Sequence, residues 1–114
     1  MITIVRDKLL LSALQEMAEK GFGNLVKCVV DIEKRILVLG GDLHADEEAE
    51  LLKQGSKQED LWGINIYPEL PYPERVEFDS MINVRPQEGN TTRGIEDPKR
   101  QKKVMEIVKA LISE

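Results

Sequence analysis

The sequence predicts a single α+β domain over residues 1–114, built as a two-layer sandwich. Two observations support this prediction. Four short segments are rich in the apolar and β-branched residues of strands, and they come in two adjacent pairs, as two hairpins require. Three longer segments repeat apolar residues at the spacing of an amphipathic helix. We therefore expect a four-stranded, mainly antiparallel sheet of two hairpins, with about three helices on one face.

Composition and charge exclude several classes of protein. The chain has 114 residues, of which 41% are hydrophobic and 32% charged, as in a folded soluble domain. Its net charge of −5 argues against general nucleic-acid binding. No apolar run approaches the roughly 18 residues of a transmembrane helix, and the N-terminus lacks a signal-peptide pattern. Because Cys28 is the single cysteine, no internal disulfide can form, and we predict a cytoplasmic protein without membrane association.

The first part of the chain predicts a helix and a hairpin. Residues 2–5 fit either a short strand or an apolar arm. Residues 7–20 predict a helix, with Asp7 as its N-cap and Gly21 as its end. Its apolar stripe is Leu10, Ala13, Leu14, Met17 and Ala18. Strands over 25–32 and 36–39, separated by a short polar break, then predict the first hairpin.

The second part predicts a helix, two strands and a last helix. Residues 42–53 carry a thin apolar stripe, so this helix is expected at an edge of the core. A third strand over 62–67 leads through a proline-rich connection to a fourth strand, which begins at Val76 and ends at about Arg85. Asp97 followed by a proline predicts the start of the last helix.

The strongest candidate site is the loop after the fourth strand, RPQEGNTTRG over residues 85–94. Guanidinium, amide and hydroxyl groups within this short loop suit a phosphate or a carboxylate. The candidate ligand-binding residues are Arg85, Asn90, Thr91, Thr92 and Arg93. The alternative is a loop that satisfies itself, in which both arginines pair with nearby acids and Asn90 bonds to the backbone.

Other residues support chemistry more weakly. His44 and Glu48 would share one face of the second helix, but this is a weak metal signal without a second histidine. We predict no metal and no cofactor. With one cysteine, one histidine and no G-x-S-x-G motif, no usual catalytic triad can be assembled, so catalytic residues stay unassigned and enzymatic activity stays open.

Aromatic residues near the proline-rich connection favour a protein contact. Trp62 has the parity of a core residue, whereas Tyr67 and Tyr72 suit either an exposed partner surface or packing over the sheet edge. Our first functional hypothesis is a small binding or regulatory module that acts through a protein partner or a homodimer. The alternative is a domain or small enzyme that binds an anionic, phosphate-containing ligand through the 85–94 loop.

Three runs of residues resemble a known family. GGDLHADEEAELLKQGSKQEDLWGINIYPE, VEFDSMINVRP and RGIEDP are similar to a small bacterial family that is catalogued only as a domain of unknown function. The resemblance implies a bacterial cytoplasmic protein. It implies no activity, substrate or catalytic residue.

Overall fold

The computed structural model describes residues 2–114 and contains one five-stranded sheet, a two-stranded sheet and three α-helices within them. The strands are β1 (Thr3–Val5), β2 (Leu9–Leu10), β3 (Val26–Asp31), β4 (Ile36–Leu39), β5 (Leu61–Ile66), β6 (Val76–Glu77) and β7 (Ile112–Ser113). The helices are α1 (Leu11–Lys20), α2 (His44–Lys53) and α3 (Pro98–Leu111). The large sheet has the order β1-β4-β3-β5-β6, with every neighbouring pair antiparallel.

The predicted α+β class and the first hairpin are confirmed, but the large sheet has five strands instead of four. The additional strand is β1, in which Thr3 pairs with Leu39 and Val5 with Leu37. Residues 2–5 therefore include a strand and do not form a free apolar arm. The first hairpin pairs Asp31 with Ile36, as its short polar break predicts.

The predicted fourth strand is wrong beyond its first two residues, because β6 covers only Val76–Glu77. After β6 the side chain of Asn83 replaces a neighbouring strand: Gly63 N donates to Asn83 Oδ1 (2.8 Å), and Asn83 Nδ2 donates to Gly63 O (2.9 Å). A Cβ on Gly63 would lie 2.5 Å from the Ser80 side chain, so only glycine permits this approach. The alternation of apolar and polar residues in the sequence thus continues beyond Glu77, although the backbone no longer pairs as a strand there.

The first helix begins at Leu11, so the predicted Asp7 cap is also wrong. Leu9 and Leu10 instead form a short parallel pair with Ile112 and Ser113. The start of α3 agrees with the prediction, since Asp97 accepts a hydrogen bond from Lys99 N at 2.9 Å.

The helices lie on both faces of the sheet, which corrects the expected single helical layer. The main core lies on one face, where α1 and α3 pack against alternate residues of β3 such as Cys28 and Val30. On the other face, Leu51 of α2 packs with Val29 and Val38. The central strands carry apolar side chains on both faces of the sheet, so helices have to bury both faces.

Candidate functional site

Arg85 is buried and holds the backbone together. Its guanidinium donates hydrogen bonds to the carbonyl oxygens of Gln58 (2.6 Å), Ile82 (3.0 Å) and Leu61. The same group lies 4.1 Å from the ring centroid of Trp62, whose buried position confirms it as a core residue. The donors of Arg85 therefore serve the chain itself.

Asn90 is also completely buried and bonded within its own loop. Its Nδ2 donates to the carbonyl oxygens of Asn83 (2.7 Å) and Gly94 (2.8 Å), while its Oδ1 accepts from Glu96 N (2.9 Å). Because both ends of the amide have backbone partners, Asn90 acts as a structural centre of the loop.

Thr91 and Thr92 are exposed, and their backbone N–H groups converge on an anion that belongs to the chain. Glu96 Oε2 accepts from Thr91 N (2.5 Å) and Thr92 N (2.9 Å). These two bonds lower the pKa of Glu96 below its ordinary value. The carboxylate of Glu96 thus takes the position in which an external anion was expected.

Arg93 points away from the other four predicted residues. Its Nε donates to Asp79 Oδ1 at 2.7 Å on the protein surface. The structure therefore does not bring Arg85, Asn90, Thr91, Thr92 and Arg93 together around one open site. Only Arg93 faces the groove described next.

A groove of about 540 Å³ lies on the sheet face that carries α2. Its walls come from β3, β5 and β6, from the first turn of α2 and from residues 79–82, with Arg93 at one side. We call it the front groove. Its volume lies in the range of roughly 300–1,000 Å³ that is usual for ligand sites.

The floor of the front groove is a row of three polar residues. Lys27, Asn65 and Glu77 are paired in register across β3, β5 and β6. Glu77 Oε1 accepts hydrogen bonds from Asn65 Nδ2 (2.9 Å) and from Tyr67 Oη (2.9 Å). Tyr67 is thus a groove residue, whereas Tyr72 packs against the main core.

Asn65 is 8% exposed, and its Oδ1 has no hydrogen-bond partner within residues 2–114. The orientation of the amide follows from its neighbours, because Nδ2 faces two acceptors, Glu77 Oε1 and the carbonyl oxygen of Asp79. A flipped amide would place its oxygen against both. Asn65 therefore lines the groove floor, and its enclosed Oδ1 is an acceptor that no group in residues 2–114 satisfies.

His44, the first residue of α2, is buried at the back of the groove. Its Nε2 lies 2.7 Å from the carbonyl oxygen of Ile64, so Nε2 carries a proton. Burial lowers the pKa of His44, and the ring is neutral at physiological pH. In the described part of the chain, Nδ1 makes no hydrogen bond.

The first turn of α2 leaves two backbone donors unused. The N-cap is Leu43, whose side chain cannot accept a hydrogen bond, and the N–H groups of His44 and Ala45 have no acceptor within residues 2–114. These groups carry the positive end of the helix dipole. Asp46 is the exposed acid in this turn, since Glu47 is buried and burial raises its pKa to about 9.

The charges on the groove walls are not equally paired. Arg93 is bonded to Asp79, and Glu77 accepts two hydrogen bonds. Lys27 has no carboxylate within 4.0 Å among residues 2–114, and its Nζ lies 5.2 Å from the ring centroid of Phe22. Lys27 is therefore the cation most available to an incoming anion.

Large apolar side chains surround the polar floor. Phe22 is 50% exposed, Leu43 56% and Met81 65%. They come from three separate segments, so no local sequence motif predicts that they lie close together. The one sequence signal is their apolar character in turns, where solvated residues are usual.

The family follows from the sequence as a whole. A family model described as "Protein of unknown function (DUF5674)" matches residues 3–111. The chain belongs to this family. No curated protein and no solved structure matches it. The description of the family names no activity. A function for this chain therefore has to be inferred from the geometry of the front groove.

Two classes of feature are absent from residues 2–114. None of their helices is both long enough and apolar enough to span a lipid bilayer. No three His, Cys, Asp or Glu side chains among them lie close enough together to hold a metal ion.

Proposed function

We propose that this DUF5674 protein is a binding module whose front groove receives a segment of a protein partner. The observation that carries the proposal is the combination of an apolar rim and an unsatisfied polar floor in one concave surface. Apolar side chains supply binding free energy by desolvation, and the polar groups select the partner's orientation. The 85–94 loop holds the segment that supplies Met81, because Arg85 Nε donates to Ile82 O and Asn90 Nδ2 donates to Asn83 O, and the loop contributes Arg93 itself.

Site-specific photo-crosslinking in the native host tests the proposal. A crosslinking residue at position 43 lies on the groove rim, whereas position 10 has almost the same exposure (58% for Leu10 and 56% for Leu43) and lies outside the groove. We expect one defined adduct from position 43 and none from position 10. Adding Phe22→Asp should remove the adduct, since it places a charge in the apolar rim.

The mass of the adduct separates the two forms of the hypothesis. A heterologous adduct supports a partner protein, while an adduct of two copies of the chain supports a homodimer. Equal yields at positions 43 and 10, or no adduct at either, would contradict the proposal.

A small anionic ligand is the second candidate, because Lys27 and Arg93 line the same groove. It predicts that inorganic phosphate or small carboxylic acids raise the melting temperature of the wild-type protein but not of Lys27→Gln. No shift over a broad panel of such anions would exclude it.

We also place the protein in the bacterial cytoplasm. The similarity to a bacterial family supports the source. Cys28 supports a reducing compartment: it is free and completely buried, and burial raises the pKa of its thiol well above the ordinary value, which suits a thiol that stays reduced. Fractionation of native cells tests this placement.

A further inference from the structure

We infer that the front groove recognises the C-terminal end of a partner peptide: a free carboxylate attached to an apolar residue. This inference rests on the proposed function and specifies the occupant of the same groove. Three independent features of the groove support it, namely its cationic side, its unsatisfied floor and its apolar rim.

The cationic side favours a carboxylate. The N–H groups of His44 and Ala45 are unused at the positive end of a ten-residue helix, and backbone donors of this kind bind anions. Lys27 adds a full charge that no carboxylate within 4.0 Å neutralises in residues 2–114. Capture of a terminal carboxylate by backbone N–H groups is a recurring mode of peptide recognition.

The acids of the groove already accept hydrogen bonds within the chain. Glu77 accepts from Asn65 and Tyr67, and Asp79 accepts from Arg93. A cationic ligand would meet carboxylates that are already bonded at one oxygen each, whereas an anion would meet donors with no partner among residues 2–114. The pairing therefore favours an anionic occupant over a basic one.

The floor requires a donor as well as an anion. Asn65 Oδ1 is buried without a partner, and a buried unsatisfied acceptor is costly. A carboxylate cannot satisfy it, since a carboxylate only accepts. A peptide terminus supplies both groups, because an N–H lies two bonds from the carboxyl carbon. This requirement favours a peptide end over a fully ionised phosphate group, which only accepts hydrogen bonds.

The rim accounts for the last side chain. Phe22, Leu43 and Met81 are large, exposed and adjacent to the proposed carboxylate position. Burial of an apolar side chain against them supplies hydrophobic free energy that a charged side chain would not. The occupant is thus a carboxylate-ended apolar residue in peptide linkage.

A paired peptide library tests the inference. Synthetic peptides with four randomised C-terminal residues are offered once with a free carboxylate and once as the C-terminal amide. We expect enrichment of apolar termini in the carboxylate pool, with affinity roughly tenfold or more above that of the matched amide. N-methylation of the last peptide nitrogen should weaken binding about fivefold or more by removing the donor to Asn65.

Variants and spectra then locate the effect. Lys27→Gln should remove most of the preference for the acid form, while Lys102→Gln, an exposed lysine of α3 outside the groove, should retain it. The amide proton signals of His44 and Ala45 should move with the acid form and not with the amide form. The amide signals are measured on the wild-type protein alone, so they test recognition of the carboxylate even if a variant fails to fold.

Two results would overturn the inference. Equal affinity for acid and amide forms would show that the carboxylate is not recognised, although the groove would still bind peptides as proposed above. No enrichment in either pool would reject a peptide terminus as the occupant. In that case the crosslink at position 43 would still decide the proposed function separately.

Discussion

The 85–94 loop and the front groove contain the same kinds of polar group, but the two regions use them differently. In the loop, the side chains of Arg85 and Asn90 are buried and bonded to the backbone, and Glu96 occupies the N–H groups of Thr91 and Thr92. In the groove, Asn65 Oδ1 and the first N–H groups of α2 have no partner within residues 2–114. Unsatisfied groups indicate a binding surface better than polar composition does.

The largest predicted change in stability distinguishes Arg85 from Arg93, two arginines that the sequence alone does not distinguish. Arg85→Met should cost about 3–5 kcal/mol of the free energy of unfolding, because it leaves three carbonyl groups without their charged donor. The matched change Arg93→Met breaks one exposed ion pair and should cost about 1 kcal/mol or less. Urea denaturation measures both. Equal losses would break the distinction between the two regions.

Glu47 gives the next effect, which depends on pH. Its pKa in the folded protein is about 9, against an ordinary value of 4.5, so folding favours the protonated carboxyl. Its contribution to stability is fully present below 4.5 and is lost as pH rises towards about 9. Relative to Glu47→Gln, the wild-type protein should lose up to about 1.4 kcal/mol per pH unit in this window.

Urea denaturation of both proteins at several pH values measures this difference. Glu106→Gln is a suitable control, since this acid of α3 is exposed. A difference between wild type and Glu47→Gln that stays constant with pH would show that the buried carboxyl does not titrate in this way.

Glu96 tests whether the loop satisfies itself. Glu96→Gln should speed the hydrogen exchange of the Thr91 and Thr92 amides, because it weakens their acceptor. Since these bonds lower the pKa of Glu96, the wild-type protection should persist above the ordinary carboxyl range and disappear as pH falls through the lowered value. Glu88→Gln is the control within the same loop. Unchanged exchange in Glu96→Gln would contradict the structural role of this carboxylate.

The smallest effect concerns the apolar rim. Leu43→Ala should change the free energy of unfolding by about 0.5 kcal/mol or less, because Leu43 is exposed and neither side chain can cap α2. Leu51→Ala, a completely buried position in the helix that follows Leu43, should cost about 2–5 kcal/mol. Thermal denaturation compares the two. A large loss from Leu43→Ala would mean that the rim stabilises the fold and is not a surface kept for a partner.

The sequence predicts the fold class well because hydrophobic periodicity is local. The period of two in residues 26–31 and the helical stripe of α3 identify their elements correctly. The pattern fails after Glu77, where Asn83 pairs with Gly63 through its side chain and the alternation persists without a strand. It also fails for α2, whose thin stripe does not reveal which sheet face it covers.

The site was harder to predict than the fold. Arg85, Asn90, Thr91, Thr92 and Arg93 are close in sequence, but the partners that occupy them, such as Asp79 and the carbonyl oxygen of Leu61, belong to other segments. The groove has the opposite property. Its residues are distant in sequence and unremarkable one by one, so only the folded chain shows that their donors and acceptors are left unused.

Photo-crosslinking at two positions decides whether the front groove or the 85–94 loop is the binding site. The crosslinking residue is placed at position 43, on the groove rim, and at position 92, an exposed position of the 85–94 loop. We predict a defined adduct in the native host from position 43 and none from position 92. An adduct from position 92, with none from position 43, would contradict this prediction and return the binding site to the loop.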